Sequence, residues 1–254
     1  MISRYKVWLN GDSLEEISPN IYINDISYGQ VSPAYTANRI GGADGQLTGA
    51  DYIESSVVTV TFEVREYSTT KRQLVVQSVA AWAARGGWLT TSDRDGQRLY
   101  VRCTKYPAVS SVMRWLDPVT VEFTAYEMPY WTSVDPVSVD IANSEEGTLR
   151  IGGMRRNCAE AVITAGAALT SLTVTVGDTS IALTGLSVDN GDTVTISYTD
   201  EHHILEIKHE GVSILEKRTA ASSDDLIAEV GENAVAFTAS GAASCTISVR
   251  EVYA

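Results

Sequence analysis

From Val57 to Val64, apolar side chains at Val58, Val60, Phe62 and Val64 alternate with Thr59, Thr61 and Glu63. This is the period-2 signature of a half-buried strand. The period then changes. Thr70 stands three residues before Gln73, a capping-box spacing, and Val75, Val79 and Trp82 follow at i, i+4 and i+7. That spacing predicts one apolar helical face, stopped by Gly86-Gly87. Trp88-Leu89 begins a return, and Asp93-Arg94-Asp95-Gly96 reads as a turn whose side chains cap local amides. Leu99, Val101 and Cys103 then alternate with Tyr100, Arg102 and Thr104, and a last strand carries Val119, Val121, Phe123 and Ala125 on one face before Glu127-Met128-Pro129-Tyr130-Trp131. The pattern predicts a β-rich domain in which a single amphipathic helix packs on a sheet.

Pro129 and Pro136 interrupt regular structure, and the composition then shifts toward Ala, Thr, Ser and Val with no aromatic residue until Tyr198. The expected division is therefore 1–133 and 134–254. Short alternating segments recur in the second part at Ala161 to Thr164, Leu172 to Val176, Thr193 to Tyr198, Ile204 to Lys208, Ala234 to Thr238 and Cys245 to Val252. Turn signals at Gly177-Asp178, Asn190-Gly191-Asp192, Glu210-Gly211 and Ser240-Gly241 separate several of them. Many short strands at this spacing predict an antiparallel β-sandwich. Asp224-Asp225-Leu226-Ile227-Ala228 reads as a single helical turn.

Charge sharpens the division. Residues 1–133 carry 12 basic and 14 acidic side chains, residues 134–254 carry 7 and 18, so the net −13 resides almost wholly in the second part. An acidic surface repels phosphate backbones, which argues against nucleic-acid binding as the main activity and fits a solubilising role. At 254 residues each part is long enough to bury its own core. The three cysteines, Cys103, Cys158 and Cys245, have no metal-ligand spacing and cannot all pair within one chain; Cys103 and Cys245 fall on strand positions as small buried hydrophobes. The first residues lack the continuous apolar stretch of a signal peptide and no later segment reaches the length of a membrane span, so cytoplasmic synthesis and assembly without membrane insertion are expected.

Candidate chemistry is sparse. His202, His203 and His209, with Glu201 and Glu206 among them, are the one cluster with metal-ligand residue types. On a strand, adjacent histidines face opposite sides, and His203 and His209 would stand about 20 Å apart, too far to share an ion. No His-Glu-x-x-His, Gly-x-Ser-x-Gly or P-loop pattern occurs. Gly41-Gly42-Ala43-Asp44-Gly45 is glycine-rich but opens no helix, so it reads as a loop rather than a phosphate cradle. The 32 acidic residues leave a carboxylate pair for glycoside hydrolysis open without locating one. All five tryptophans, Trp8, Trp82, Trp88, Trp115 and Trp131, lie in the first part, leaving Tyr198, Phe237 and Tyr253 as the second part's only rings for stacking on a sugar. No catalytic, cofactor-binding or metal-binding residue is expected, and no cofactor.

Taken in order, Ile40 to Gly45, the long strand, the helix from Gln73 to Trp82, the Leu-rich return from Leu89 to Leu99 and the aromatic-Pro exit at Tyr126 to Trp131 resemble the N-terminal domain of the distal tail protein family of long, non-contractile-tailed bacteriophages. Asn190-Gly191-Asp192-Thr193-Val194-Thr195-Ile196 and Gly231-Glu232-Asn233-Ala234-Val235 are similar to turn-plus-strand patterns of that family's galectin-like or carbohydrate-module-like C-terminal sandwich. The resemblance implies a non-enzymatic protein of the virion tail tip, six copies of which close into a ring. It implies the tail-tube protein, a tail-associated lysin or tip hub, and a receptor-binding protein as partners, with DNA only passing through the lumen and the Gly41 to Gly45 loop reaching a neighbouring subunit. Two other readings stay open: a sandwich module that binds host glycans directly, and a hydrolase with an acidic site that no motif reveals.

Overall fold

The computed structural model describes residues 3–29, 33–34, 37–39, 46–48, 52–108, 116–126, 128–200 and 202–253. The segment Ile40 to Gly45, Trp115, Glu127 and Glu201, all of which enter the sequence reading, lie outside them. The chain divides into two compact units, the first ending at Trp131 and the second running from Thr132 to Tyr253.

The first unit contains β1 (Val7–Leu9), β2 (Asp12–Ser13), β3 (Ile21–Tyr28), β4 (Ser56–Val64), α1 (Thr69–Ala83), β5 (Gly87–Thr91), β6 (Gln97–Lys105) and β7 (Val119–Ala125). Two short hairpins, Pro33–Ala34 with Tyr52–Ile53 and Ala37–Arg39 with Gln46–Thr48, fall between β3 and β4. The sheet runs β2-β1-β5-β6-β7-β4-β3. Register explains its core: Val119, Val121 and Phe123 lie opposite Phe62, Val60 and Val58, so the alternation of two neighbouring strands coincides and all six are buried. The alternation of β4 and β7 read from the sequence is the alternation of the structure.

Helix α1 is present but begins earlier than its expected cap. Ser68, in extended conformation, accepts from the Lys71 amide at 3.4 Å. Thr70 already lies inside the helix, so the Thr70/Gln73 box does not form. The buried stripe is Arg72, Val76, Val79, Trp82 and Ala83, with Val75 only half-buried at its margin. Arg72 sits beneath the first turn because its guanidinium donates to the carbonyls of Glu66 and Tyr67 and to Thr69 Oγ1. Trp82 meets Phe123 edge-on, with centroids 5.9 Å apart, and its indole N–H donates to the Asp12 carbonyl at 3.2 Å. These contacts seat the helix on the sheet.

Gly86 and Gly87 end the helix with φ of +59° and +113°. Asn10 locks this exit: its Nδ2 donates to the Gly86 carbonyl at 2.8 Å while its Oδ1 accepts from the Trp88 amide at 2.9 Å. A Cβ at Gly87 would stand 2.2 Å from that Oδ1. The turn after β5 departs from the expected local capping. Asp93 Oδ1 accepts instead from the Tyr28 hydroxyl, a partner 65 positions away.

The second unit is an antiparallel sandwich. Its strands are β8 (Val137–Ala142), β9 (Glu145–Ile151), β10 (Asn157–Ala165), β11 (Leu169–Val176), β12 (Thr179–Val188), β13 (Thr193–Tyr198), β14 (Leu205–His209), β15 (Val212–Ser213), β16 (Ile227–Ala228), β17 (Gly231–Ala239) and β18 (Ala243–Val249). One sheet runs β8-β18-β10-β13-β14-β15, with β16 added alongside β10, and the other runs β9-β17-β11-β12. Leu149, Ile163, Val174, Ile181, Ile196, Phe237 and Ile247 belong to the apolar cluster between them. The six expected segments each overlap a strand, but Ile204 precedes β14, and Arg250 and Glu251 lie beyond the end of β18. The sequence reading lacks β8, β9, β12 and β15, and Asp224 to Ala228 is not a helical turn: Ile227–Ala228 pairs with Cys158 and Asn157.

Candidate functional site

Each candidate for chemistry is dispersed by the fold. His202 and His203 are not on a strand, contrary to the expected alternation. His203 adopts φ +51° and stacks on the Tyr198 ring at 4.9 Å and 17°, where burial lowers its pKa. His209 closes β14 and places Nε2 2.8 Å from Asp192 Oδ2. This contact, and the Asp189 amide on the same carboxylate, hold the Asp192 pKa below its ordinary value. Among the described residues, no group of three or more His, Cys, Asp or Glu side chains is placed to hold a metal ion.

The thiols are unsuited to nucleophilic work. Burial pushes Cys158 up to about 11 and Cys245 up to about 12, far from the thiolate form at neutral pH. Cys245 lies in the sandwich core, whereas Cys103 is only half-buried, because β6 loses its cover toward Lys105. Tyr198 is committed to structure, its hydroxyl accepting from the buried Leu226 amide at 2.9 Å. Phe237 is fully buried and Tyr253 donates to Glu251 at 2.5 Å. None of the three rings of the second unit forms an open stacking platform.

Two clefts remain. One, of about 510 Å³ in the second unit, is lined by Arg156, Asp178, Thr179, Glu229, Glu232 and Asn233. Its polar groups are engaged among themselves: Arg156 pairs with Glu229 at 3.4 Å, and Asn233, almost fully buried, accepts from the Glu229 amide and donates to the Glu229 carbonyl at 2.9 and 2.7 Å. Asn233 thus sits within β17 as a clamp on the preceding turn. The other cleft, of about 410 Å³ in the first unit, lies between the Asp12 to Ile17 segment and the C-terminal end of α1.

The surface also offers strand edges. Among the described residues β3 is an outer strand of the first sheet, and its pairing with β4 is interrupted by a bulge between Ile23 and Asp25. A bulge and an outward carboxylate blunt indiscriminate edge pairing.

No protein-family model matches the sequence, and no curated protein matches it. Solved structures do. The SPP1 Dit (gp 19.1) protein, described as a paradigm of the hub adsorption apparatus in Gram-positive-infecting phages, matches with a TM-score of 0.75 at 13% identity, covering 97% of this chain and 98% of that one. Chains of the phage P2 baseplate in its activated conformation match with TM-scores of 0.59 with Ca and 0.57 with Sr, each at 9% identity and over 96% or more of both chains. At such identity the shared property is the arrangement of strands and helix. The resemblance read in the Gln73 to Trp82 helix and its flanking strands therefore has its counterpart in three dimensions, and the chain has, over nearly its whole length, the fold of the phage distal tail hub protein.

Proposed function

We propose that this chain is a structural component of a phage or prophage tail tip, acting by assembly rather than catalysis. The reading rests on one observation: the match to the SPP1 hub protein spans 97% of this chain and 98% of that one, so it takes in both units and not a common sandwich alone. In this role six copies of the first unit close into a ring that continues the tail tube and leaves a lumen for DNA. The second unit carries the adsorption proteins, a receptor-binding protein or a tail-associated lysin.

The physics is consistent with this. A ring requires head-to-tail contacts that close on rotation. With a net charge near −2 in residues 1–133, a lumen built from the first unit would not retain DNA as a basic one would. Light scattering coupled to size exclusion, with negative-stain images of the leading peak, tests the reading. A closed six-fold ring is expected; a strict monomer at high concentration, alone and with tail-tube protein, would overturn it.

A further inference from the structure

The longest acid-free run of the sequence is Tyr67 to Ser92, which holds Lys71, Arg72 and Arg85 but no Asp or Glu in a chain with 32 acidic residues. Most of it is α1. The outward face of the helix presents Lys71, Leu74, Gln77, Ser78 and Ala81, with Leu74 56% exposed. Ser78 turns its hydroxyl back onto the Leu74 carbonyl at 3.1 Å, which removes a polar group from this face. A solvated helix ordinarily carries charge on its outer side. At its C-terminal end the face runs toward the 410 Å³ cleft, where Ala81, Ile17 and Trp82 are flanked by Arg85 and Asp12, themselves paired at 2.6 Å, and by the exposed Glu16.

We infer that this face of α1 forms part of the contact surface for a second copy of this chain. The inference rests on the ring reading and names a part of its interface. Charge selects the occupant. Each copy carries most of its net charge in residues 134–254, with 7 basic and 18 acidic side chains, and an acid-free face bearing Lys71 is where that acidic part of a neighbouring copy can approach. Two such faces meeting each other would oppose their lysines, so the helix meets a different, acidic patch of the next copy, a head-to-tail arrangement.

The test compares the full chain with Leu74→Glu/Gln77→Glu and with Val212→Glu, which alters an even more exposed apolar residue of the second unit. Glutamate preserves helix propensity, and matching thermal melts establish that both variants fold. Light scattering is expected to give an oligomer for the unsubstituted chain and for Val212→Glu, and a monomer for the helix variant. An oligomeric helix variant overturns the inference and leaves the ring intact. Loss of the oligomer in both variants overturns it as well, since added charge anywhere then suffices. An unsubstituted chain that stays monomeric alone and with tail-tube protein removes the ring and the inference together.

Discussion

The Tyr28 hydroxyl donates to Asp93 Oδ1 at 2.6 Å, linking the end of β3 to the turn between β5 and β6. Thr91 Oγ1 lies 2.9 Å from the same hydroxyl, Trp131 meets the Tyr28 ring edge-on at 5.6 Å, and the Arg94 guanidinium lies over both rings at 4.7 and 4.9 Å. Residues from three distant stretches thus secure the last residue of the first unit. Tyr28→Phe is expected to cost about 1 kcal/mol, the net worth of one hydrogen bond, measured by urea denaturation. Burial, then the Asp93 carboxylate, raises the Tyr28 pKa. The stability this provides is intact below about pH 10, the ordinary tyrosine value, and fades as pH rises further. Denaturation midpoints taken toward high pH should therefore fall less steeply in Tyr28→Phe.

Gly87→Ala should be the most damaging small change at the helix exit. A φ of +113° disfavours any side chain, and the new methyl would collide with Asn10. A loss of about 2–3 kcal/mol is expected. Asn10→Ala removes the two bonds to Gly86 and Trp88, so the double variant should fall well short of the sum of the single losses in a mutant cycle.

Acidification should expose the Asp192–His209 contact. The Asp192 carboxyl is held below its ordinary value, first by His209 and then by the Asp189 amide. Its contribution is present above the unfolded pKa of about 3.9 and is lost as pH falls through the lower folded one. Asp192→Asn should melt at a lower temperature than the unsubstituted chain at neutral pH, with the difference shrinking below about pH 4.

Asn233→Ala leaves the Glu229 amide and carbonyl without their side-chain partners in a nearly solvent-free site, and a loss of about 2–3 kcal/mol by chemical denaturation is expected. Asn233→Asp keeps the acceptor but replaces the donor, so it should not restore stability at neutral pH.

Thiol labelling should separate the three cysteines. Cys245, 1% exposed with its pKa pushed up to about 12, should react only on unfolding, while half-buried Cys103 should label first in the folded chain at mildly alkaline pH. Quantifying modified peptides by mass spectrometry checks the order.

How much of this was legible depended on whether an element repeats its burial along the chain. In β4 every second residue from Ser56 to Val64 faces the core, so periodicity reads it directly. Helix α1 was visible, but its face was read one residue early because Val75 and Val76 are interchangeable to a hydropathy pattern and Arg72 buries itself through hydrogen bonds. Strand β8 was legible and missed, since Val137, Val139 and Ile141 alternate with Ser138 and Asp140, whereas β9 buries only Leu149 and Ile151 at its end, which leaves little alternation to see. Asn10-Gly11 was legible and missed: an Asn-Gly pair with φ of +54° and +86° is the strongest short hairpin signal, and it joins β1 to β2. The cluster around Tyr28 was beyond reach, since only the fold brings residue 28 to residues 93 and 131. That the histidines cannot share an ion was legible, and the one error there was to take His202-His203, which precede β14, as strand.

The sandwich closes on itself in time as well as in space. Its opening strand β8 pairs with its final strand β18, as between Asp140 and Thr246, 106 positions apart, and β18 is also what joins β8 to β10. During synthesis the ribosome releases Val137–Ala142 long before its mate exists. That sheet cannot be completed until Ala243–Val249 has emerged, and a polypeptide truncated before this point keeps β8 and β10 unpaired along the edges where β18 belongs. Pairings of such sequence separation fold slowly, in milliseconds to seconds rather than microseconds. Quality control is thereby built into the topology: only a finished chain can present a finished sandwich to an assembling particle.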